Sequence, residues 1–428
     1  MKGPTRVATA IACLTVASLA HAGGYDTPIL YSARHQGMGG TAIAYVDDAS
    51  SVFHNPAGLA RIRSLDLLGG LSLLSGKLTT SPGNPDLENR DGTYPSRTTE
   101  PAVSPLFIVG AGYRLAPPVA VGLGIYPVAA VAGEYRNTNL LGRPTIDRTR
   151  LVFLELSPAV AVRLVDKLSI GAGYRMTIAM LDRVKGDADN PREFDFSLRG
   201  VDFVGWRLGL AWQATEMISL GLVYRHRIEP TLRSDRAYAY TQLTDAQTTL
   251  VLPSKLGSGI SVRLDPMKLA LDAEYGFYSQ NSDSILRGFN PGLNKIEQVT
   301  SYFRWRNALT LRVGAEYGLG PDGHFPIRAG YVFDGQVGNP AYPSAFGTPP
   351  APSHAVTVGG GYRSGAWQAN VAAAYRFATT SVSPADVAGA ESCAICSKPG
   401  ADYSLRMLAV YLDFSIDLEV SAGAEPPP

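Results

Sequence analysis

The chain is poor in cysteine, in net charge and in uninterrupted apolar sequence. Of 428 residues three are cysteine, and 38 Lys and Arg face 37 Asp and Glu. That balance leaves no basic excess for a phosphate backbone, so a nucleic-acid partner is excluded. Cys13 falls within an apolar N-terminal stretch, and Cys393 and Cys396 form a single CxxC. A zinc site would need four ligands and a thioredoxin-like site a βαβ context, so the pair reads as a local disulfide or two loop thiols. No segment beyond the N-terminus can cross a bilayer as a helix: the longest uncharged stretch, 115–133, contains Pro117, Pro118 and Pro127. HExxH, Walker A, GxSxG and dinucleotide fingerprints are missing, and His35, His54, His226, His324 and His354 have no metal-ligand spacing. The expectation is a protein without enzymatic activity, cofactor or metal.

What is there is glycine (45), proline (30), tyrosine (21) and a mean hydropathy near zero. Such a composition with 18% charged residues is neither disordered nor a coiled coil. It fits a chain whose apolar residues alternate with polar ones. The first 22 residues read as a secretory signal peptide: Lys2 and Arg6 precede the uncharged stretch from Val7 to Leu19, and Ala20-His21-Ala22 fits the small-x-small rule for cleavage near Ala22.

Alternation then decides the class. From Leu168 to Met180 the even positions are Leu, Ile, Ala, Tyr, Met, Ile and Met, and the odd ones are small or polar. Segments at 152–164, 204–212, 268–277, 305–317, 325–334 and 367–377 behave likewise. Strands of soluble sandwiches average about 5–6 residues, whereas these reach the length of tilted membrane strands. Strands are predicted near 64–78, 102–115, 119–134, 148–164, 168–184, 199–213, 218–232, 248–264, 268–281, 302–317, 325–336, 354–363, 367–380 and 403–416. Short connectors alternate with long polar ones at 79–101, 135–147, 185–198, 233–247, 282–301, 337–353 and 381–402. That asymmetry is the one between periplasmic turns and extracellular loops. The fold class is therefore all-β, a 14-stranded antiparallel transmembrane β-barrel at 64–416, with a Pro-ending tail at 417–428. Tyr113, Trp206, Trp212, Trp305, Tyr362, Trp367, Tyr411 and Phe414 are placed as interfacial girdles. By parity Arg175, Arg207, Arg225, Arg312, Arg328 and Arg376 point into the lumen with Glu155, Asp272, Glu274, Glu316 and Asp334. They read as a salt-bridge lattice, with Arg175, Arg207 and Arg312 as candidates to fork onto a substrate carboxylate.

Residues 23–63 break the pattern. They are rich in Gly and Ala, with Asp47-Asp48-Ala49-Ser50 as a start signal for a short helix and Asn55-Pro56 as a turn. A segment of this size before the first strand can fold into the lumen as a plug. The run GMGGTAIAYVDDASSVFHNPAGLA (37–60) resembles the N-terminal hatch of the FadL/TodX family of outer-membrane long-chain fatty acid and hydrocarbon transporters. Stretches at 122–136, 154–175, 204–225 and 325–334 are similar too, so the resemblance covers the mature chain.

The resemblance implies passive transport of a hydrophobic small molecule, a fatty acid or hydrocarbon, across the Gram-negative outer membrane by a hatch-gated monomeric barrel. Its partners would be that substrate, outer-membrane lipid and the barrel-assembly machinery. Asp47, Asp48, Phe53, Asn55, Pro56, Ala57, Gly58 and Leu59 would form the gating hatch. Phe53, Leu59 and the lumen face of strand 3 would hold the lipid tail. Strand 3 alternates cleanly until Pro127, which cannot donate a ladder hydrogen bond. An interruption there, with Tyr126, Pro127, Val128 and Gly133, would open the wall sideways. The alternative is a structural or secretion-linked hatch barrel without lipid cargo.

Overall fold

A computed structural model describes residues 32–82, 97–98, 102–138, 144–187, 192–342, 349–388 and 401–419. The signal peptide, Cys393, Cys396 and tail residues 420–428 lie outside the described residues. Fourteen strands form one closed antiparallel barrel. They are β1 (Leu65–Pro82), β2 (Ala102–Ala116), β3 (Val119–Thr138), β4 (Pro144–Val165), β5 (Leu168–Asp187) and β6 (Phe194–Gln213). Next come four strands, each in two halves: β7 (Ile218–Arg225, Thr231–Ala239), β8 (Thr241–Thr249, Lys255–Leu264), β9 (Met267–Gly276, Asp283–Asn290) and β10 (Lys295–Tyr302, Ala308–Leu319). The last are β11 (Phe325–Asp334), β12 (Ser353–Ser364), β13 (Trp367–Ser381) and β14 (Ala401–Leu418). The barrel closes through β1 and β14, paired from Leu65↔Leu418 to Pro82↔Ala401.

Closure leaves the β1–β14 join without a free edge, and only a closed barrel satisfies its backbone in a bilayer. Alternation then sorts the side chains. Leu71, Val109, Leu123, Ile170, Leu208, Leu271 and Val313 are exposed on the outside, and their neighbours point into a filled interior. Arg175, Arg207, Arg312, Arg328, Arg376, Glu155, Asp272, Glu316 and Asp334 are all buried, as parity requires.

The structure corrects the strand boundaries in one region. Residues 233–247 and 282–301, expected as loops, are largely the extracellular halves of β7–β10, and Trp305 marks the reason. All four strands break at a similar level, at 226–230, 250–254, 277–282 and 303–307. There the chain folds inward, burying Ile228, Leu252, Tyr278, Phe303 and Trp305 in one apolar cluster. Trp305 is consequently an interior residue, and Tyr411 on the unbroken β14 is one because it shares the inward parity of Asp413; neither is a girdle residue, whereas Tyr113, Trp206, Trp212, Tyr362, Trp367 and Phe414 are exposed on the outer wall.

Candidate functional site

Residues 32–63 lie inside the barrel, tied to the wall around its circumference. Three wall carboxylates accept from backbone amides of this segment. Asp66 on β1 accepts from Ala49 N at 2.5 Å, Asp272 on β9 from Ala42 N at 2.8 Å and Ile43 N at 3.1 Å, and Asp413 on β14 from Arg34 N at 3.0 Å. Thr357 on β12 accepts from Gly39 N at 3.0 Å. In the other direction, Ser169 on β5 donates to Ala57 O at 3.0 Å, Arg163 on β4 to Ala60 O at 2.6 Å, and Arg207 on β6 to Val52 O.

The segment fits because the wall is cut back at its level. A Cβ at Gly171, Gly209, Gly221, Gly314 or Gly330 would overlap Ala57, Asn55, Ile43, Met38 or Gly39 respectively. Within the segment, Gly39 and Gly40 adopt φ of 69° and 77°, which only glycine takes up without strain. The first helix, α1 (Ala33–Gln36), presents Arg34, whose Nη1 donates to Asp47 at 2.6 Å and Asp48 at 2.9 Å. Burial works against charge at Asp47, but Arg34 and Lys268 hold its carboxyl well below the usual range. The second helix, α2 (Ser51–His54), is followed by a 3-10 turn, Pro56–Arg61. Within the Asp-Asp-Ala-Ser signal Asp48 Oδ1 accepts from Ser50 N at 2.9 Å just ahead of α2, and Asn55 supplies the side-chain cap of the 3-10 turn. Its Oδ1 accepts from Ala57 N at 3.1 Å, and its Nδ2 donates to Ile43 O at 2.8 Å and Leu210 O at 3.0 Å on the wall.

His35 and His54 stack edge to face with centroids 4.6 Å apart, both fully enclosed. Burial, helped by Arg34, pushes His35 down to about 3. Burial and the neighbouring His35 push His54 well below its ordinary value.

Above this segment an apolar cluster joins Val52, Phe53 and Leu59 to Tyr126, Val128 and Ala129 of β3 and Phe153 of β4. Phe53 meets the Tyr126 ring edge to face at 4.9 Å, and the Arg207 guanidinium lies 5.7 Å over the Phe53 ring. Glu155 is the polar hub beside it. Its carboxylate accepts from Tyr126 Oη at 2.7 Å, Arg175 Nε at 2.8 Å and Arg207 Nη2 at 2.9 Å.

Arg175, Arg207 and Arg312 thus do not converge. Arg175 and Arg207 share Glu155, while Arg312 pairs with Glu274 at 3.3 Å. Arg207 and Arg312 do line one small cavity with Phe53, His54, Asp272 and Glu274, of about 30 Å³.

β3 is continuous where an interruption was expected, because Pro127 is accommodated by a bulge. The β3–β4 register shifts between Pro127↔Leu154 and Ala129↔Phe153, so Val128 is left over. Tyr126, Val128 and Ala129 are all buried toward the lumen, and Gly133 pairs with Thr149 further up. The other edge of β3 differs. Among the described residues its ladder with β2 ends at Val109↔Ile125, although β2 stays paired with β1 up to Ala102 and β3 with β4 up to Thr138. Among the described residues the unpaired seam between β2 and β3 therefore begins at Tyr126.

Sequence reasoning missed Asp66 and Asp413 and the purpose of the inward glycines. The signal was available: each aspartate interrupts apolar neighbours at an inward position, in Leu65-Asp66-Leu67 and Leu412-Asp413-Phe414.

Taken together, the chain is a closed outer-membrane-type barrel whose lumen is filled by its own N-terminal segment. It belongs to the outer membrane protein transport family (OMPP1/FadL/TodX), whose model matches residues 13–391, and it is an outer-membrane transport protein. A protein of Neisseria meningitidis serogroup B assigned to the outer membrane is 24% identical over 378 positions, covering 74% of this chain and 78% of that one. Among solved structures, a Pseudomonas aeruginosa FadL homologue aligns with TM-score 0.68 at 16% identity, covering 91% of this chain and 98% of its own. The P. putida toluene transporter TodX aligns with TM-score 0.69 at 15% identity, covering 91% and 99%. The Ralstonia pickettii toluene transporter TbuX gives 0.64 at 17%, covering 91% and 98%. These likenesses establish the fold.

Proposed function

We propose that the protein is a passive, hatch-gated channel for hydrophobic small molecules, long-chain fatty acids or aromatic hydrocarbons, which leave sideways into the bilayer at the β2–β3 seam. The observation that carries this reading is the continuity of the apolar cluster from Val52, Phe53 and Leu59 to Tyr126, Val128 and Ala129 beside a stretch of β3 that has no ladder to β2 among the described residues. A solute leaving there avoids the aqueous periplasm, where each exposed CH₂ costs about 0.8 kcal/mol. For a tail of a dozen carbons that preference reaches roughly 10 kcal/mol.

The hatch is the gate in this reading. A cavity of about 30 Å³ beside His54 and Phe53 holds a water or two but no fatty acid, so cargo must displace the segment to pass. A carboxylate headgroup would find Arg207 and Arg312 on that cavity, each already facing a protein carboxylate that it would have to share. The barrel is read as a monomer, inserted by the barrel-assembly machinery.

The test seals the seam with Pro127→Val and Ala130→Leu and follows uptake of oleate and of toluene by cells carrying correctly inserted, heat-modifiable barrel. A large drop in uptake is expected. Uptake at the wild-type rate would reject lateral exit, and failure of the unaltered protein to carry either probe would favour a structural or secretion-linked barrel.

A further inference from the structure

A row of outward-facing side chains crosses β5 to β9 where the apolar outer surface ends. Met180 on β5 is in register with Arg199 on β6, Arg199 with Arg233 on β7, Arg233 with Gln247 on β8, and Gln247 with Arg287 on β9. All three arginines are exposed. Below them on β6 the outer face is apolar, with Val201, Val204, Trp206 and Leu208 exposed. Arg199 and Arg233 are direct cross-strand neighbours of like charge, an arrangement that destabilises a sheet unless something anionic answers it.

The nearby acids do not answer it. Asp182 accepts from Ser197 Oγ at 2.5 Å, Asp195 faces Arg192 at 3.8 Å, and Asp283 faces Arg304 at 3.0 Å. Asp235, two residues along β7, is exposed and forms no ion pair among the described residues with any of the three arginines. What Arg199 does touch is apolar: its Nη1 lies 2.9 Å from Met180 Sδ, so the guanidinium rests on the upper rim of the lipid-facing surface.

We propose that Arg199, Arg233 and Arg287, with Gln247 between them, bind the phosphorylated headgroup of an anionic lipid of the outer leaflet. The long connectors put this rim on the extracellular side. Strands about 4.8 Å apart space the row over roughly 14 Å from β6 to β9, enough for two phosphates. Guanidinium forks match phosphate oxygens two at a time, and the Gln247 amide can donate to a third oxygen. The lipid's acyl chains would run down over Val201 and Leu208. The proposal concerns the outer wall and stands apart from any cargo in the lumen.

The test is native mass spectrometry of delipidated, detergent-folded protein titrated with diphosphorylated lipid A and with the same glycolipid stripped of phosphate. The wild type is expected to bind lipid A and to lose at least about tenfold in affinity for the phosphate-free lipid. Arg199→Gln with Arg233→Gln and Arg287→Gln should cost at least about tenfold for lipid A, and Arg233→Gln alone a few-fold if the triple variant folds poorly. Arg263→Gln, exposed at the opposite, short-turn end of β8, should change nothing. Equal lipid A binding by wild type and by the row variants would overturn the proposal. So would displacement of lipid A by millimolar inorganic phosphate, which would make the row a site for the free anion.

Discussion

Arg207 on β6 and Glu155 on β4 meet at 2.9 Å inside the barrel, with their side chains 1% and 0% exposed. Arg207 also donates to Val52 O of the hatch and lies 3.2 Å from Tyr126 Oη at the β3 bulge. One guanidinium therefore joins the plug to the wall beside the seam. A fully stranded buried charge costs about 3–5 kcal/mol, and because Arg175 still holds Glu155, loss of Arg207 should cost less than that. Arg207→Ala is expected to lower the temperature at which the folded band converts in heat-modifiability gels. Glu155→Gln, which strands both Arg175 and Arg207, should lower that temperature further than Arg207→Ala does. A Glu155→Gln barrel no less stable than the Arg207→Ala one would argue against Glu155 as the shared partner.

Asn55 serves the plug in three directions, capping Ala57 N and tying Ile43 O to Leu210 O of the wall. Asn55→Ala should cost the hatch about 1–3 kcal/mol by leaving buried backbone groups unanswered. The expected outcome is greater single-channel leak and altered uptake with normal barrel insertion. Unchanged leak and uptake would remove Asn55 from the gate.

Acidification should loosen the same segment. His35 is held neutral with its value down at about 3, against 6.5 for the free group, and His54 is shifted in the same direction. A displaced hatch thus takes up protons that the seated one refuses. The stabilisation is complete above about pH 6.5 and is lost as pH falls toward 3. Between pH 7 and 5, His35 alone accounts for about 2 kcal/mol. Protection factors of residues 33–62, taken against the intrinsic exchange rate at each pH, should fall at pH 5, and His35→Asn should flatten that dependence. Protection factors that ignore pH in the wild type would contradict the reading.

The cut-back wall gives a paired comparison. Gly209→Val would drive a side chain into Asn55 and Pro56, whereas Gly69 on β1 has nothing within 4 Å of its Cβ position. Overpacking of this kind costs about 1–3 kcal/mol. Gly209→Val is expected to expose the hatch to protease with the barrel intact, and Gly69→Val to leave it protected. Equal protection of both would mean that the hatch does not rest where the glycines are.

Most of the barrel was legible because a period of two leaves a direct trace. Parity alone placed Arg175, Arg207, Arg312 and Glu155 inside, and the alternation of short and long connectors gave the strand number. Breaks in β7–β10 were not legible. There an inward fold puts Ile228, Leu252 and Trp305 in the interior irrespective of parity, and the polar residues of 233–247 and 282–301 look like loops although they pair. At β3, Pro127 signalled an irregularity correctly, but a proline is as compatible with a bulge as with a break, and neighbouring strands decided which. The hatch motif marked the segment; it could not say that the amides of Ala49, of Ala42 and Ile43, and of Arg34 would be answered by Asp66, Asp272 and Asp413, because those wall residues are brought together only by closure of the wall.

The cut-back wall also fixes what kind of change the plug tolerates. At Gly171, Gly221, Gly314 and Gly330 the wall meets main-chain or near-main-chain atoms of Ala57, Ile43, Met38 and Gly39. Such a socket recognises thickness and path, and it is indifferent to much of the chemistry carried by the side chains pointing elsewhere. Two hatches with few residues in common could occupy the same barrel provided that both stay thin at these points. A single added methyl group at one of them would be felt by several strands at once.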